Sequence, residues 1–141
     1  MTSPTDELRT AAEKLRTLAT AASTDNDGTP TAHWHTAPLW PDNDDGTRYL
    51  FGDHLTRDDG RRISWPLLLR GGRQLHQSYM HGQHADYAAA MDPTVGLALA
   101  DWLDTAAEHC RLGYVCCDNG PCDEIAAPAL AVARAINGSQ P

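Results

Sequence analysis

Long apolar runs, aromatic rings and lysine are all scarce in this chain, and no cysteine lies outside one short stretch. Aromatic residues make up only 6% of the 141 residues, within a hydrophobic fraction of 41%. A core is affordable, but it must be built mostly from alanine, leucine and valine. Lys14 is the only lysine among eleven basic residues, a bias towards arginine that reads as genome base composition rather than function. The most apolar region, Ala88 to Leu103, is interrupted by Asp92, Pro93 and Asp101. That falls far short of the roughly 18 apolar residues a membrane span needs, so no membrane association is expected.

Positive charge is in deficit as well. Nineteen acidic residues against eleven basic ones give a net charge of −8, which argues against a general binder of phosphate backbones. The first fifteen residues, MTSPTDELRTAAEKL, are acidic and amphipathic without an apolar centre, so no secretory signal is expected. The chain therefore reads as a soluble, cytoplasmic protein in a reducing compartment, of a length that suits a single domain over residues 1–141. Nucleophile and phosphate motifs are missing too. Ser64 and Ser78 sit in no G-x-S-x-G, and Gly71-Gly72 lacks the Lys-Ser/Thr that follows a phosphate loop.

Helical signals bracket the chain. Over residues 3–22, Ser3 suits an N-cap, Pro4 the first helical position, and Asp6 and Glu7 the positive end of the helix dipole. Leu8, Ala12, Leu15, Ala19 and Ala22 recur at helical spacing, with Ala11 and Leu18 widening the stripe. A second helix is expected over Gln83–Met91. Asp92 then caps a third, opened by Pro93 and reaching about His109, whose buried stripe would be Val95, Leu99, Trp102, Leu103 and Ala106. A last helix of about ten residues, Ala126–Ile136, closes at Asn137-Gly138.

Between them the pattern turns to short strands: Thr31–Thr36, Arg48–Gly52, Trp65–Leu69 and Gln74–Met80. The Asp-Gly pairs in PDNDDG and TRDDGRR mark hairpin loops. The expected fold is α+β: an N-terminal helix, a small antiparallel β-meander, two helices joined at Asp92-Pro93, a Cys-rich loop and a short C-terminal helix.

The cysteines carry the clearest chemistry. All four lie in HCRLGYVCCDNGPC, at positions 110, 116, 117 and 122, next to His109. Zinc takes four ligands in a tetrahedron, and a pair from a tight turn with a pair near a helix end supplies that geometry. Cys117 and Cys122 can form one pair around the Gly120-Pro121 turn, and His109 or Cys110 the other side. His109 versus Cys110, and Cys116 versus Cys117, stay open as metal ligands. Free thiols packing as small hydrophobes, a disulfide or a redox pair are the alternatives. A structural zinc would also anchor a last helix too short to stand alone.

Seven histidines are many for this length. His33-x-His35 on one strand would face one side with Trp34 opposite, and His76, His81 and His84 gather ahead of the second helix. With a carboxylate such as Asp86, either group could build a catalytic metal site; hydrogen-bonded or exposed imidazoles are the bland reading. Arg57, Arg61, Arg62, Arg70 and Arg73 form a locally basic stretch that could serve a nucleic-acid-binding module, or simply decorate hairpin edges. Asp42, Asp44 and Asp45, with the acids of the long helix, form an acidic face that could occupy a nucleic-acid-binding protein's basic groove, or simply be solvated.

The segment HADYAAAMDPTVGLALADWLD, His84–Asp104, resembles a signature of the Ead-like early-region accessory proteins of phages and prophages. Tyr87, Asp92-Pro93, Val95, Leu97, Leu99 and Asp101 to Leu103 sit at the matching positions. The ending ALAVARAI, Ala129–Ile136, is similar to that of actinobacterial relatives. The resemblance covers about twenty residues firmly and implies an accessory role in a bacterial host cell, with no catalytic residues to carry over. The expectation is a small, non-enzymatic, zinc-stabilised protein acting through an unidentified protein partner. A metal-dependent enzyme using the His-rich middle, or a nucleic-acid-binding module, is the alternative.

Overall fold

A computed structural model describes residues 2–38, 46–69, 78–112 and 123–138, with the side chains of 123–125 left aside. The fold is α+β. In chain order it comprises α1 (Pro4–Ala22), β1 (His35–Ala37), β2 (Thr47–Phe51), β3 (His54–Thr56), β4 (Arg62–Ser64), β5 (Met80–His81), α2 (Gly82–Ala90), α3 (Pro93–Leu112) and α4 (Asp123–Asn137). No described helix is long and apolar enough to cross a membrane. Contacts within the chain gather into two compact units, Met1–Leu18 with Gly96–Pro141, and Ala19–Val95.

The first unit is helical. Ser3 caps α1 as its sequence position implies: the Asp6 N–H donates to Ser3 Oγ at 3.1 Å, and the Ser3 hydroxyl donates to the Asp6 carboxylate at 2.6 Å. The core consists of two leucines and six alanines: Leu8, Ala11 and Ala12 from α1, Leu103, Ala106 and Ala107 from α3, Ala129 and Ala133 from α4. Side chains this small let helix backbones approach closely, which is how a chain poor in rings still packs.

Two expected stripe residues lie elsewhere. Trp102 is 39% exposed and Leu18 57%, while Ala100 and Ala107 are fully buried. The buried line of α3 therefore runs through Ala100, Leu103 and Ala107, about a fifth of a turn away from the expected one, because the small residues face the neighbouring helices and the indole takes the flank. Helix α3 also runs three residues beyond His109, to Leu112.

Helix α4 corrects a premise. It has 15 residues rather than about ten, and Gly138 follows it at φ +74°, the left-handed conformation that closes a helix. It is tied to α1 by contacts that involve no metal. Arg134 Nε donates to the Glu7 carboxylate at 2.8 Å, Asn137 Nδ2 to the Glu7 carbonyl at 3.1 Å, and Lys14 Nζ to the Ile136 carbonyl at 2.8 Å. These contacts hold the last turn of α4 against α1.

The second unit carries the strands, as two small antiparallel sheets in place of one meander: a three-stranded sheet in the order β1-β2-β5, and the β3–β4 hairpin. Helix α2 packs on β1, β2 and β5. Thr36 lies opposite Leu50 in the β1–β2 ladder, and its hydroxyl donates to Asp86 of α2 at 3.0 Å, so the Thr36/Leu50 face lies under the helix. His35 and Phe51, opposite each other in the same ladder, take the other face.

The expected strands differ from those observed. Thr31–Thr36 contributes only its last two residues to β1, because Thr31 is buried and bound instead: its N–H donates to the Ser23 carbonyl at 2.8 Å and its hydroxyl to that of Ala22. Trp65–Leu69 is not a strand but crosses beside β2. It follows a cis Trp65–Pro66 peptide and touches the ladder through a single bridge, Phe51 to Leu67. Of Gln74–Met80, residues 74–77 lie outside the described residues, and only Met80 joins β5. The TRDDGRR hairpin forms as read, with Gly60 at φ +79° and the Arg57 N–H donating to the Arg61 carbonyl at 2.9 Å. Its flanking strand β3 carries no apolar alternation and had no sequence signal of its own.

Candidate functional site

Most of the expected zinc ligands, Cys116, Cys117 and Cys122, lie outside the described residues. His109 and Cys110 are successive residues of α3, so their side chains diverge by about a quarter of a turn. Cys110 packs against the helical core, as a small hydrophobe would. His109 lines a groove with Asp104, Thr105, Glu108 and Leu112. Of the adjacent pair, His109 is thus the one that lines this groove.

The histidine groups expected in the second unit are not assembled as the sequence reading grouped them. His33 precedes β1 and is exposed, with Nδ1 at 3.2 Å from Thr94 Oγ1 and 4.0 Å from the Asp92 carboxylate. Alternation along a strand cannot place it beside His35, because the chain at His33 is not yet a strand. His81 and His84 meet edge to face at 6.3 Å between ring centroids, both exposed. Asp86, their candidate carboxylate, binds Thr36, and His76 lies outside the described residues. Among the described residues, no three His, Cys, Asp or Glu side chains gather as a metal would require.

The structure instead builds a cluster around His35. Its Nδ1 lies 2.8 Å from the Gly52 carbonyl and its Nε2 3.0 Å from Ser64 Oγ. A carbonyl only accepts, so Nδ1 carries the hydrogen and, in the neutral ring, Nε2 accepts from the Ser64 hydroxyl. Burial pushes the His35 pKa below its ordinary 6.5, and neighbouring His54 pushes the same way; the Gly52 bond and the charge of Asp53 oppose them in part. The ring is stacked on His54 at 3.9 Å and on Phe51 at 5.5 Å.

Each member is placed by backbone pairing. His35 stands opposite Phe51 across β1–β2, and His54 opposite Ser64 across β3–β4. Gly52 joins the two sheets, and a Cβ there would meet Pro66 Cδ at 2.8 Å and Thr31 Cγ2 at 3.1 Å. Only glycine lets the chain pass so close while its N–H donates to the Pro66 carbonyl at 2.8 Å. Reading the sequence singled out His35 but missed Gly52, His54 and Ser64. One signal was present: counting outward from the TRDDGRR turn pairs Thr56 with Arg62, Leu55 with Ile63, and His54 with Ser64, as observed.

At the junction of α2 and α3, Asp92 serves two segments. One carboxylate oxygen accepts the Val95 N–H at 3.1 Å, the expected cap, and the other accepts the Trp34 N–H at 3.2 Å. The outer side of α2 is open, with Gln83, His84 and Asp86 exposed on it, and two large apolar side chains stand out at its C-terminal end: Tyr87 is 72% exposed and the C-cap residue Met91 44%. Along the hairpin, Arg57, Arg61 and Arg62 flank Asp58 and Asp59, and Arg61 lies 3.9 Å from Asp59, so the basic stretch is partly offset by its own acids. Arg70 and Arg73 lie outside the described residues.

These features define a small α+β protein with an imidazole-centred cluster in its β unit and an open tyrosine–methionine face on α2. Compared with protein-family models, with curated proteins and with solved structures, the chain matches none.

Proposed function

We propose that this chain is a non-enzymatic accessory protein of the phage or mobile-element type, which works by docking a protein partner on the outer face of α2. The observation that carries this reading is the exposure of Tyr87 and of the C-cap residue Met91, four positions apart at the end of a helix whose Ala85 side is fully buried. The Met91 N–H donates to the Tyr87 carbonyl at 3.2 Å, so the two side chains stand on successive turns. Tyrosine and methionine are enriched in protein interfaces, where the ring adds contact area and the flexible thioether adapts to the partner's surface. Both residues lie within His84–Asp104, the segment that resembles the Ead-like proteins. The net charge of −8 favours a partner with a basic rim.

The test is affinity capture from the producing cell with the wild-type chain and with Tyr87→Glu/Met91→Glu, after circular dichroism establishes equal helix content. A partner held by the wild type and lost by the variant supports the reading. Equal capture by both chains, or capture by neither, overturns it.

The same proposal keeps one structural zinc, its ligands drawn from His109, Cys110, Cys116, Cys117 and Cys122, with His109 versus Cys110 and Cys116 versus Cys117 left open. It rests on the cysteine spacing and on the groove-facing position of His109. One zinc per purified chain, and a lower melting temperature after chelation, is the expected result. Zinc-free protein with an unchanged melt removes this part.

A further inference from the structure

We propose that Ser64 is a reactive hydroxyl, an acceptor of acyl groups from activated esters, with His35 as its general base. This goes beyond the docking reading and does not rest on it. The geometry is that of an activated nucleophile: a hydroxyl within hydrogen-bond reach of a base whose orientation a third group holds. Here the hydroxyl lies 3.0 Å from His35 Nε2, and the Gly52 carbonyl at 2.8 Å from Nδ1 holds the ring and its tautomer. Stacking against Phe51 and His54 prevents the ring from turning away. Ser64 is half-buried, so a small reagent has access to it. Burial also keeps His35 neutral near pH 7, the form that can take a proton.

In the reaction, Ser64 Oγ attacks the carbonyl carbon of the ester and forms the new O–C bond. The hydroxyl proton passes to His35 Nε2. The bond from the carbonyl carbon to the leaving oxygen then breaks, and that oxygen leaves as an alcohol or phenol with the proton from Nε2. The products are an O-acyl serine and neutral His35.

The backbone after Ser64 offers no oxyanion donor, which slows acylation and deacylation alike and leaves no hydrolytic cycle of enzymatic speed. The Trp65 N–H is already given to the Asp53 carbonyl at 3.0 Å, and Pro66 has no N–H. Neither can serve as an oxyanion donor of the kind that sustains acyl turnover. Ser64 is therefore a modification site rather than the nucleophile of a hydrolase.

The probe is p-nitrophenyl acetate applied to the full chain, followed by mass spectrometry of the intact protein and of its peptides. One acetyl group per chain, mapped to Ser64 and absent from Ser64→Ala, is expected. His35→Gln should slow labelling by about 100-fold, the lower range for general-base assistance. The wild-type pH profile gives a reading that needs no variant. The charged or titratable neighbours of His35 are His54 and Asp53, and the labelling rate should rise as His35 loses its proton below pH 6.5 and then level off. Labelling of Ser64 no faster than that of other serines, or a rate that climbs with hydroxide throughout, overturns the proposal.

Discussion

The two units solve the same compositional problem in opposite ways. With so few aromatic rings, the helical unit packs alanine against alanine, and its eight-residue core contains no polar side chain. The β unit cannot do this, because strands as short as three residues bury little on either face. It relies on polar side chains bonded to backbone carbonyls: Thr31 to Ala22, the Trp34 indole N–H to Thr31 at 2.7 Å, and His35 to Gly52. Apolar packing tolerates gradual repacking. A network of directional bonds depends on each partner being in place. The contrast teaches that scarcity of large apolar residues is met by close approach where helices pair, and by hydrogen bonding where strands are too short to shield a core.

Three measurements would break or sharpen this contrast. The largest effect belongs to the helical core: Leu103→Ala removes a fully buried side chain and should cost about 2–5 kcal/mol, read as a lower denaturant midpoint. Hydrogen exchange should rise most in α1, α3 and α4. A change below about 1 kcal/mol would show that the alanine-rich core collapses around the missing side chain.

Next is Gly52→Ala, in which the new methyl would meet Pro66 Cδ at 2.8 Å and Thr31 Cγ2 at 3.1 Å. Overpacking of this kind costs about 1–3 kcal/mol, and it should loosen the amides of β1 to β4 before those of the helical core. Unchanged stability would mean that residues 65–68 can shift without loss.

The smallest effect is the pH dependence, which separates the units by window. His35 titrates below its ordinary 6.5, so on acidification the unfolded chain takes up that proton first. The stability tied to neutral His35 is whole above pH 6.5 and declines as the pH falls from there to the lower folded value. Glu7 is held below its ordinary 4.5, chiefly by the hydrogen bond from Arg134, and Glu108 likewise by Arg111. Their contribution is whole above pH 4.5 and is lost only below it. Acid titration followed by amide exchange should therefore loosen the β unit first. Loosening of the helical unit at the higher pH would contradict the assignment.

How much of this was legible in the sequence follows the same division. Helix α1 and the Asp92-Pro93 junction were readable because their signals are local: a serine cap, a proline at the first position, and apolar spacing over several turns. The exposure of Trp102 and Leu18 was not, since periodicity gives a stripe without saying which of its edges a neighbour covers. The strands were misplaced for a related reason. Two-residue alternation at Thr31 to His35 gave way to the bonds of Thr31, which depend on the end of α1. Of the cluster at His35, the hairpin register was available from the TRDDGRR turn. The approach of β1 to that hairpin was not, because it depends on Gly52 passing beside Pro66.

The sequence by itself determined the α+β class, the helix caps, the hairpin turn and the acidic, ring-poor surface and core. All of these rest on interactions within a few residues or on composition alone. Tertiary structure decided which face of α3 is buried, which residues of α1 hold α4, and that His35, His54 and Ser64 meet. Those outcomes come from contacts between residues far apart in the chain, whose geometry no local pattern encodes.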